Sequence, residues 1–594
     1  TGGTVSGDIY GGFTNGSGKT TGNTVNLGNG TSIGAISVAG TIHGGNKADA
    51  SGNTLNVKTN AQAGNIKNFE TIKLTLKSGS FNPANSLLRL TGGTQTTNLD
   101  WSKLEVDTTT LAATPKSYEA YRVKLMENAN GISFMKGATN TYASHGAKER
   151  TQGDLEYVID TDNHTANAAN SIDLEAYQFQ NKQNAAFTAA DGTKAEAWGG
   201  RTKVGNKVQN NKLTVSGGTL TQAAYGGLAE NFKRDAHGNP KTTGDAEKNS
   251  LILNAGANTL NAYGAEVRTK SGSAADNTAT LNAGTVNGSL YGASLSAAGA
   301  TGSATKNKVE IKGGSVTGSV YGSHIADGAA TGSATASTVT VTGGTVSGDI
   351  YGGFTNGSGK TTGNTVNLGD GEHNLAAGTN IAGTVFGGNK ADVTDNTLNI
   401  NTNAQAGNIK NFDHLKFNLN SHALTQSTPV LRLNSGATGN LDWRKLDVNA
   451  EKFNAPIKTY EAYNLVLMEN ANGISFQQGA TNTYTAAGGV KSTTSGDFEF
   501  TIDTANHTAS STQVTAAGFK FKNHAATYNE ISAHNEAWAG RTNIGNKVEK
   551  NTLTVSGGTI TTAAYGGLVI NNKPSATTGD AEKNTVAVTG GSVA

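Results

Sequence analysis

Cysteine is absent from all 594 residues of the chain. That excludes a disulfide-stapled scaffold, a thiol nucleophile and any zinc site of the Cys₂His₂ type. A surface protein threaded unfolded through a secretion pore gains from having no thiols. Charge is also scarce, with Asp, Glu, Lys and Arg at 15% and a formal net charge of +2. So weak a field cannot hold a phosphate backbone, and nucleic acid is not an expected partner. No apolar run approaches the ~18 residues of a transmembrane helix, so these residues are expected to hold no membrane-spanning segment. Helical i, i+3, i+4 patterning is missing as well, and Gly at 79 of 594 residues opposes helix throughout.

What the chain does contain is repetition at two scales. Thr1 to Gly28 recurs without a change as Thr342 to Gly369. Beyond that block the copies diverge but stay in register: Asn60 to Phe69 returns as Asn403 to Phe412, Asn98 to Trp101 as Asn440 to Trp443, and Tyr118 to Tyr121 as Tyr460 to Tyr463. One module of about 341 residues is therefore followed by most of a second, as in long extracellular arrays. Because the repeat is entered and left mid-module, the chain is expected to be a piece of a longer polypeptide.

A shorter period lies inside the first. Gly284 to Ala293, Gly314 to Ser323 and Gly344 to Gly353 share a Gly-x-Val-x-Gly-x-φ-Tyr-Gly pattern, φ being Leu, Val or Ile, with Tyr291, Tyr321 and Tyr351 spaced 30 apart. The aromatic position continues back to Tyr263, Tyr225 and Trp198 and forward to Phe386, with His43 in its place in the first copy. A second block follows in most units, opened by Asn249, Asn277, Asn307 or Asn364. The segments between glycines are short and alternate apolar with polar, the period-2 signature of half-buried strands. Tandem repeats with a fixed aromatic and a fixed Asn favour stacking of like on like, so the expected fold is an all-β parallel β-solenoid, with rungs ~4.8 Å apart. At roughly 20 to 25 residues per rung the rod would be on the order of 110 to 140 Å long.

Such a coil sets identical positions above one another. Val286, Val316 and Val346 are expected to form an apolar ladder inside, and Asn277 and Asn307 an amide ladder in which each side chain donates to the next. Ser337, beside Thr338, stands where the third Asn would be, a gap tolerable if its hydroxyl substitutes for the amide or if the position faces water. The glycines after the aromatic, such as Gly352 and Gly353, are expected at corners with positive φ. Leu290, Val320 and Ile350 directly precede the tyrosines, so alternation puts Tyr263, Tyr291, Tyr321 and Tyr351 on the opposite face, as a surface strip able to stack on sugar rings or on another rod. The expected divisions are solenoid over 1–60, a less regular β region over 61–194, solenoid over 195–403, a second less regular region over 404–534 and solenoid over 535–594. The irregular regions either continue the coil or protrude from it.

Repeats of the type Gly-Gly-Thr-Val-Ser-Gly-Asp-Ile-Tyr-Gly-Gly, followed by Asn65 to Leu74 and by Asn408 to Phe417, resemble the passenger region of Gram-negative autotransporters and related adhesins. In those passengers an Asn-Phe-Glu-x-Leu-x-Leu phrase follows the repetitive block, and a segment like Tyr118 to Ile132 follows the phrase. The resemblance implies a right-handed parallel β-helix at the cell surface, anchored by an outer-membrane barrel outside these residues. It implies an adhesin or stalk that meets glycans or proteins of a host or neighbouring cell, with no cofactor. The long duplication departs from most passengers and leaves open a filament or sheath protein built by self-association.

Glycan-degrading enzymes share the fold, and their sites need converging carboxylates. Asp349 and Asp8 are replaced by Ser319 and Ser289 in neighbouring repeats, so no acidic column is expected there. Asp245 with Glu247, and Asp580 with Glu582, are best read as solvated residues before a strand. His164 and His507 recur in Asn-His-Thr without a second ligand at metal spacing. The calcium-binding nonapeptide Gly-Gly-x-Gly-x-Asp is missing. Thr14 to Thr21 superficially resembles a phosphate loop but lacks its spacing and its helix. No catalytic, metal or cofactor residue is therefore expected.

Overall fold

The computed structural model describes residues 2–594 apart from 135–147, 160–168, 234–240, 420–427, 443–444, 452, 454, 477–490, 503–510 and 573–578. Strand occupies 56% of the chain, helix is almost absent among the described residues, and parallel sheets stack into a β-solenoid of about 17 turns. One turn shows how the sequence builds it. The short strand Ala304–Thr305 leads through Lys306, at φ 55°, into Lys308–Ile311, and Ser315–Val316 and Val320–Ile325 follow. Each lies parallel between its counterparts in the turns before and after. Three sheets of five, ten and twelve strands result, the ten-stranded one running from Ala185–Thr188 to Leu446–Asn449.

Alternation sorts the side chains. In Lys308–Ile311 the valine and isoleucine are buried while Lys308 is exposed. Val286 pairs in register with Val316, and Val316 with Val346, and all three are at most 1% exposed. Burying such a side chain contributes ~1.5–3 kcal/mol, and repeating it turn after turn supplies the core.

Two expectations are corrected. Successive partners along the buried asparagine positions are 27 to 38 residues apart. A turn is therefore longer than 20 to 25 residues, because the whole 30-residue motif with its three corners makes one circuit. About 17 turns at ~4.8 Å then stack to only about 80 Å. Nor do Gly352 and Gly353 have positive φ; they lie inside the strand Ile350–Thr355. Close approach explains them instead. A Cβ on Gly352 would meet the Gly387 carbonyl oxygen at 2.6 Å, and one on Gly353 the Asn364 amide nitrogen at 2.6 Å. Left-handed corners recur one turn apart at Gly284, Gly314 and Gly344, and at Asp276, Lys306 and Ala336.

The irregular regions have a composite structure. In the first module parallel stacking continues through Ala61–Lys67, Leu88–Leu90 and Tyr121–Phe134. Direction then reverses: Tyr121–Phe134 pairs antiparallel with Ala169–Gln178, which pairs antiparallel with Leu155–Ile159, and that strand with Lys148–Gln152. Tyr463–Phe476, Ser511–Lys520, Phe498–Ile502 and Lys491–Ser495 repeat this meander in the second module. The first meander lies against Leu104–Thr110, the last strand of its sheet, through Arg150 to Asp107 at 3.1 Å and the Gln152 amide donating to the Thr109 carbonyl at 3.0 Å. An otherwise unpaired edge is thereby covered.

Candidate functional face

The twelve-stranded sheet carries the aromatic column. Tyr225, Tyr263, Tyr291, Tyr321, Tyr351 and Phe386 are consecutive register partners, with centroids 5.2, 4.6, 5.0, 5.2 and 4.6 Å apart and planes within 15° of parallel. The side chains beneath, Leu290, Val320 and Ile350, are fully buried, whereas Tyr263, Tyr291, Tyr321 and Tyr351 are half-buried. Stacking has a chemical consequence. Both faces of Tyr263, Tyr291, Tyr321 and Tyr351 are covered by the next ring, so the column offers ring edges and hydroxyls, and no free face for a sugar ring.

A second column, Ser294, His324 and Phe354, runs beside it. The His324 ring lies 4.7 Å from Tyr321 and 5.3 Å from Phe354, and its Nδ1 is 3.0 Å from the Ser294 hydroxyl. Burial pushes its pKa down to about 4. On the other side stand Ser289, Ser319 and Asp349, where Asp349 accepts from the Tyr351 hydroxyl at 3.1 Å and from the Thr384 N–H at 2.8 Å. Burial and that carboxylate push the Tyr351 phenol up. Further out, Asn287, Thr317 and Ser347 are exposed.

Glu196, Glu230 and Glu266 of this face are matched by cations. Arg268 contacts Glu230 and Glu266 at 2.9 Å each and donates to the Tyr225 hydroxyl at 2.7 Å. Arg201 contacts Glu230 at 2.8 Å and Glu196 at 3.6 Å, and its guanidinium lies 4.7 Å from the Trp198 ring centre. Asp8, like Asp349, is a structural acceptor, taking the Thr41 N–H at 2.7 Å. Asp245 accepts the Ser273 N–H at 2.8 Å, Glu247 pairs with Lys207 and Lys248, and Glu582 lies 2.9 Å from Lys547. Asp395, Asp413 and His414 approach one another within 4.8 Å. Asp413 is engaged by Lys445 at 3.6 Å and by the Asp395 N–H at 3.1 Å. His164 and His507 lie outside the described residues.

The amide ladder runs inside. Asn211, Asn249, Asn277 and Asn307 are buried, and each of the first three donates a side-chain N–H to the Oδ1 of the next at 2.9 to 3.0 Å. Each also donates to a backbone carbonyl of the preceding turn, as Asn277 does to Ala246 at 3.0 Å. At the gap, Asn307 donates to Ser323 Oγ at 2.9 Å, Ser323 and Ser337 hydroxyls are 2.6 Å apart, and the Ser337 N–H donates to Asn364 Oδ1 at 3.0 Å. Ser337 is buried and does not face water.

Two buried glutamates join meander to following solenoid. Glu156 accepts from the Thr202 hydroxyl at 2.6 Å, the Lys203 N–H at 2.6 Å and the Asn206 amide at 2.8 Å. Glu499 accepts from Thr542, the Asn543 N–H and Asn546 at the same distances. Burial pushes the Glu156 carboxyl up to about 7, against those three donors. Sequence reasoning missed this joint, although the repeated Arg-Thr-x-φ-Gly-Asn of residues 201–206 and 541–546, φ being Val or Ile, was available as a signal.

No protein-family profile, no curated protein and no solved structure matches the chain.

Proposed function

We propose that this chain serves as the rod of a non-enzymatic bacterial cell-surface repeat protein, an autotransporter-like adhesin or stalk. On this reading it is anchored to the outer membrane by another part of the polypeptide and holds binding surfaces away from the cell. The observation that carries the proposal is that the recurrent side chains engage their own counterparts one turn away: Tyr on Tyr at 4.6 to 5.2 Å, Asn on Asn at 2.9 to 3.0 Å. Repetition of this kind maintains length and stiffness without disulfides. The absence of an enzymatic role is likewise proposed, on the engagement of Glu196, Glu230 and Glu266 by Arg201 and Arg268. Contacts with glycans or proteins of a host or neighbouring cell would then use the tyrosine ring edges and hydroxyls together with the exposed Asn287 amide and the Thr317 and Ser347 hydroxyls.

Electron microscopy of the native protein and of the cells that carry it tests the proposal. Separate rods projecting from the outer membrane support it, with glycan and cell-binding screens to follow. Continuous fibres of uniform width overturn it in favour of a filament or sheath assembled from these modules. Release of sugars from a polysaccharide panel would overturn the non-enzymatic part.

A further inference from the structure

Tyr263, Tyr291, Tyr321 and Tyr351 place one phenol per turn, with centroids 4.6, 5.0 and 5.2 Å apart and planes within 8° of parallel. We propose that this column is an oxidative cross-linking site, at which a one-electron oxidant joins phenols of successive turns as dityrosine. The register fixes the pairs as Tyr263 with Tyr291, Tyr291 with Tyr321, and Tyr321 with Tyr351, while Tyr225, stacked on Tyr263 but buried with its hydroxyl held by Arg268, is left out of the site. The inference stands on ring geometry and holds whether the rod binds cells or builds a filament.

The chemistry balances within the pair and its oxidant. Each phenol gives up one electron and its hydroxyl proton, leaving a phenoxyl radical. Two such radicals on neighbouring rings form one carbon–carbon bond between positions ortho to the oxygens. The hydrogens on those two carbons then move to the oxygens as the rings regain aromaticity. Two phenols thus lose two electrons and two protons. Two equivalents of oxidant accept the electrons, either the high-valent iron of a peroxide-driven peroxidase or a photogenerated ruthenium(III) complex.

Three features of the column favour this outcome. Stacking holds the next phenol within 4.6 to 5.2 Å, centroid to centroid, so coupling is intramolecular and needs no encounter between chains. The rings are half-buried, so an electron can leave at the surface while the fold keeps the pair aligned. A proton acceptor adjoins the last phenol of the column: the Tyr351 hydroxyl donates to Asp349 at 3.1 Å. Phenols two turns apart are separated by ~9.6 Å and cannot couple without leaving the stack. The product would tie successive turns covalently in a chain that has no cysteine.

The test is flash photolysis of the full chain at low concentration with a ruthenium tris-bipyridyl sensitiser and persulfate, read by dityrosine fluorescence and peptide mapping. The native chain is expected to remain monomeric on a denaturing gel and to yield cross-linked peptides carrying adjacent members of the column. The double variant Tyr263→Phe/Tyr321→Phe keeps the stack, as Phe386 does naturally, but leaves every remaining phenol of the column two turns from the next. Its yield should fall at least about tenfold. Should that variant fold poorly, Tyr291→Phe alone should abolish the two links through position 291 and retain the link between Tyr321 and Tyr351. Three results overturn the proposal: no dityrosine in the native chain, an undiminished yield in the folded double variant, or links that map between molecules or outside the column.

Discussion

The hydroxyl of Ser323 lies 2.6 Å from that of Ser337, both fully buried, and together they replace a missing asparagine. Ser323 occupies the position held by Ala293 and Gly353 in the adjoining turns, and Ser337 the position held by Asn307 and Asn364. Amide volume lost at one site is restored as a hydroxyl at the other. The side chain of Asn307 therefore keeps its second acceptor, at 2.9 Å.

Ser323→Ala should leave one buried N–H of Asn307 without a partner and destabilise its turn by about 1–3 kcal/mol. Adding Ser337→Asn to that variant recreates the combination of the preceding turn, Ala293 with Asn307, and should recover most of the loss. Ser337→Asn alone should be harmful, because the Ser323 hydroxyl fills the space. A long array need not unfold as one unit, so native-state hydrogen exchange over residues 307–341 is the appropriate measurement. Additive effects of the two substitutions would show that the hydroxyls do not share one function.

The valine ladder and the facing of the tyrosines were legible because both follow from period-2 alternation and an even spacing. Val286, Val316 and Val346 needed only the assumption that like stacks on like. Ser323 and Ser337 were not legible, since residues 14 apart on one turn meet only when the corner between them is known. Gly353 was misread for a related reason. Its sequence neighbours suggested a corner, but the constraint comes from Asn364, whose amide enters the space a Cβ would take. The joint at Glu156 was hidden by distance, as its partners Thr202 and Asn206 lie 46 and 50 residues on.

Gly353→Ala tests the close approach. A methyl placed 2.6 Å from the Asn364 amide nitrogen, with Ala334 carbonyl oxygen at 2.3 Å, cannot fit without moving a ladder amide or the backbone. Overpacking of this kind costs about 1–3 kcal/mol. Gly7→Ala, where nothing lies within 4 Å, is the matched control and should change the thermal midpoint little. A Gly353→Ala midpoint equal to that of the control would mean that the ladder yields freely.

His324 should make its turns acid-sensitive. Its folded pKa, about 4, lies below the ordinary 6.5, so the unfolded chain binds the proton more tightly. The stability it contributes is therefore full above about 6.5 and falls as pH drops toward 4, by at most about 3 kcal/mol. His324→Phe, which copies Phe354 one turn on, should flatten this part of the profile whatever its effect at neutral pH. Urea titrations at pH 7 and pH 4.5 compare the slopes. Equal acid losses in the two proteins would assign the sensitivity to other groups.

The glutamate joint makes a different prediction, because its sign is reversed. Glu156 has its carboxyl raised from 4.5 to about 7 by burial, so the folded joint binds the proton more tightly than the open chain does. Its proton-linked stability is complete below about 4.5 and is lost as pH rises through about 7. Glu156→Ala removes the acceptor of three donors at once, and each buried donor left unpaired costs about 1–3 kcal/mol. The loss should be local, opening the junction between Leu155–Ile159 and Thr193–Thr202 while the ladders on either side persist. Limited proteolysis should then cut the variant near residues 202–206 faster than the native chain. The native advantage should shrink by up to about 3 kcal/mol between pH 5 and pH 8. A native advantage that instead grew with pH would mean that the three donors outweigh burial and hold Glu156 as a carboxylate.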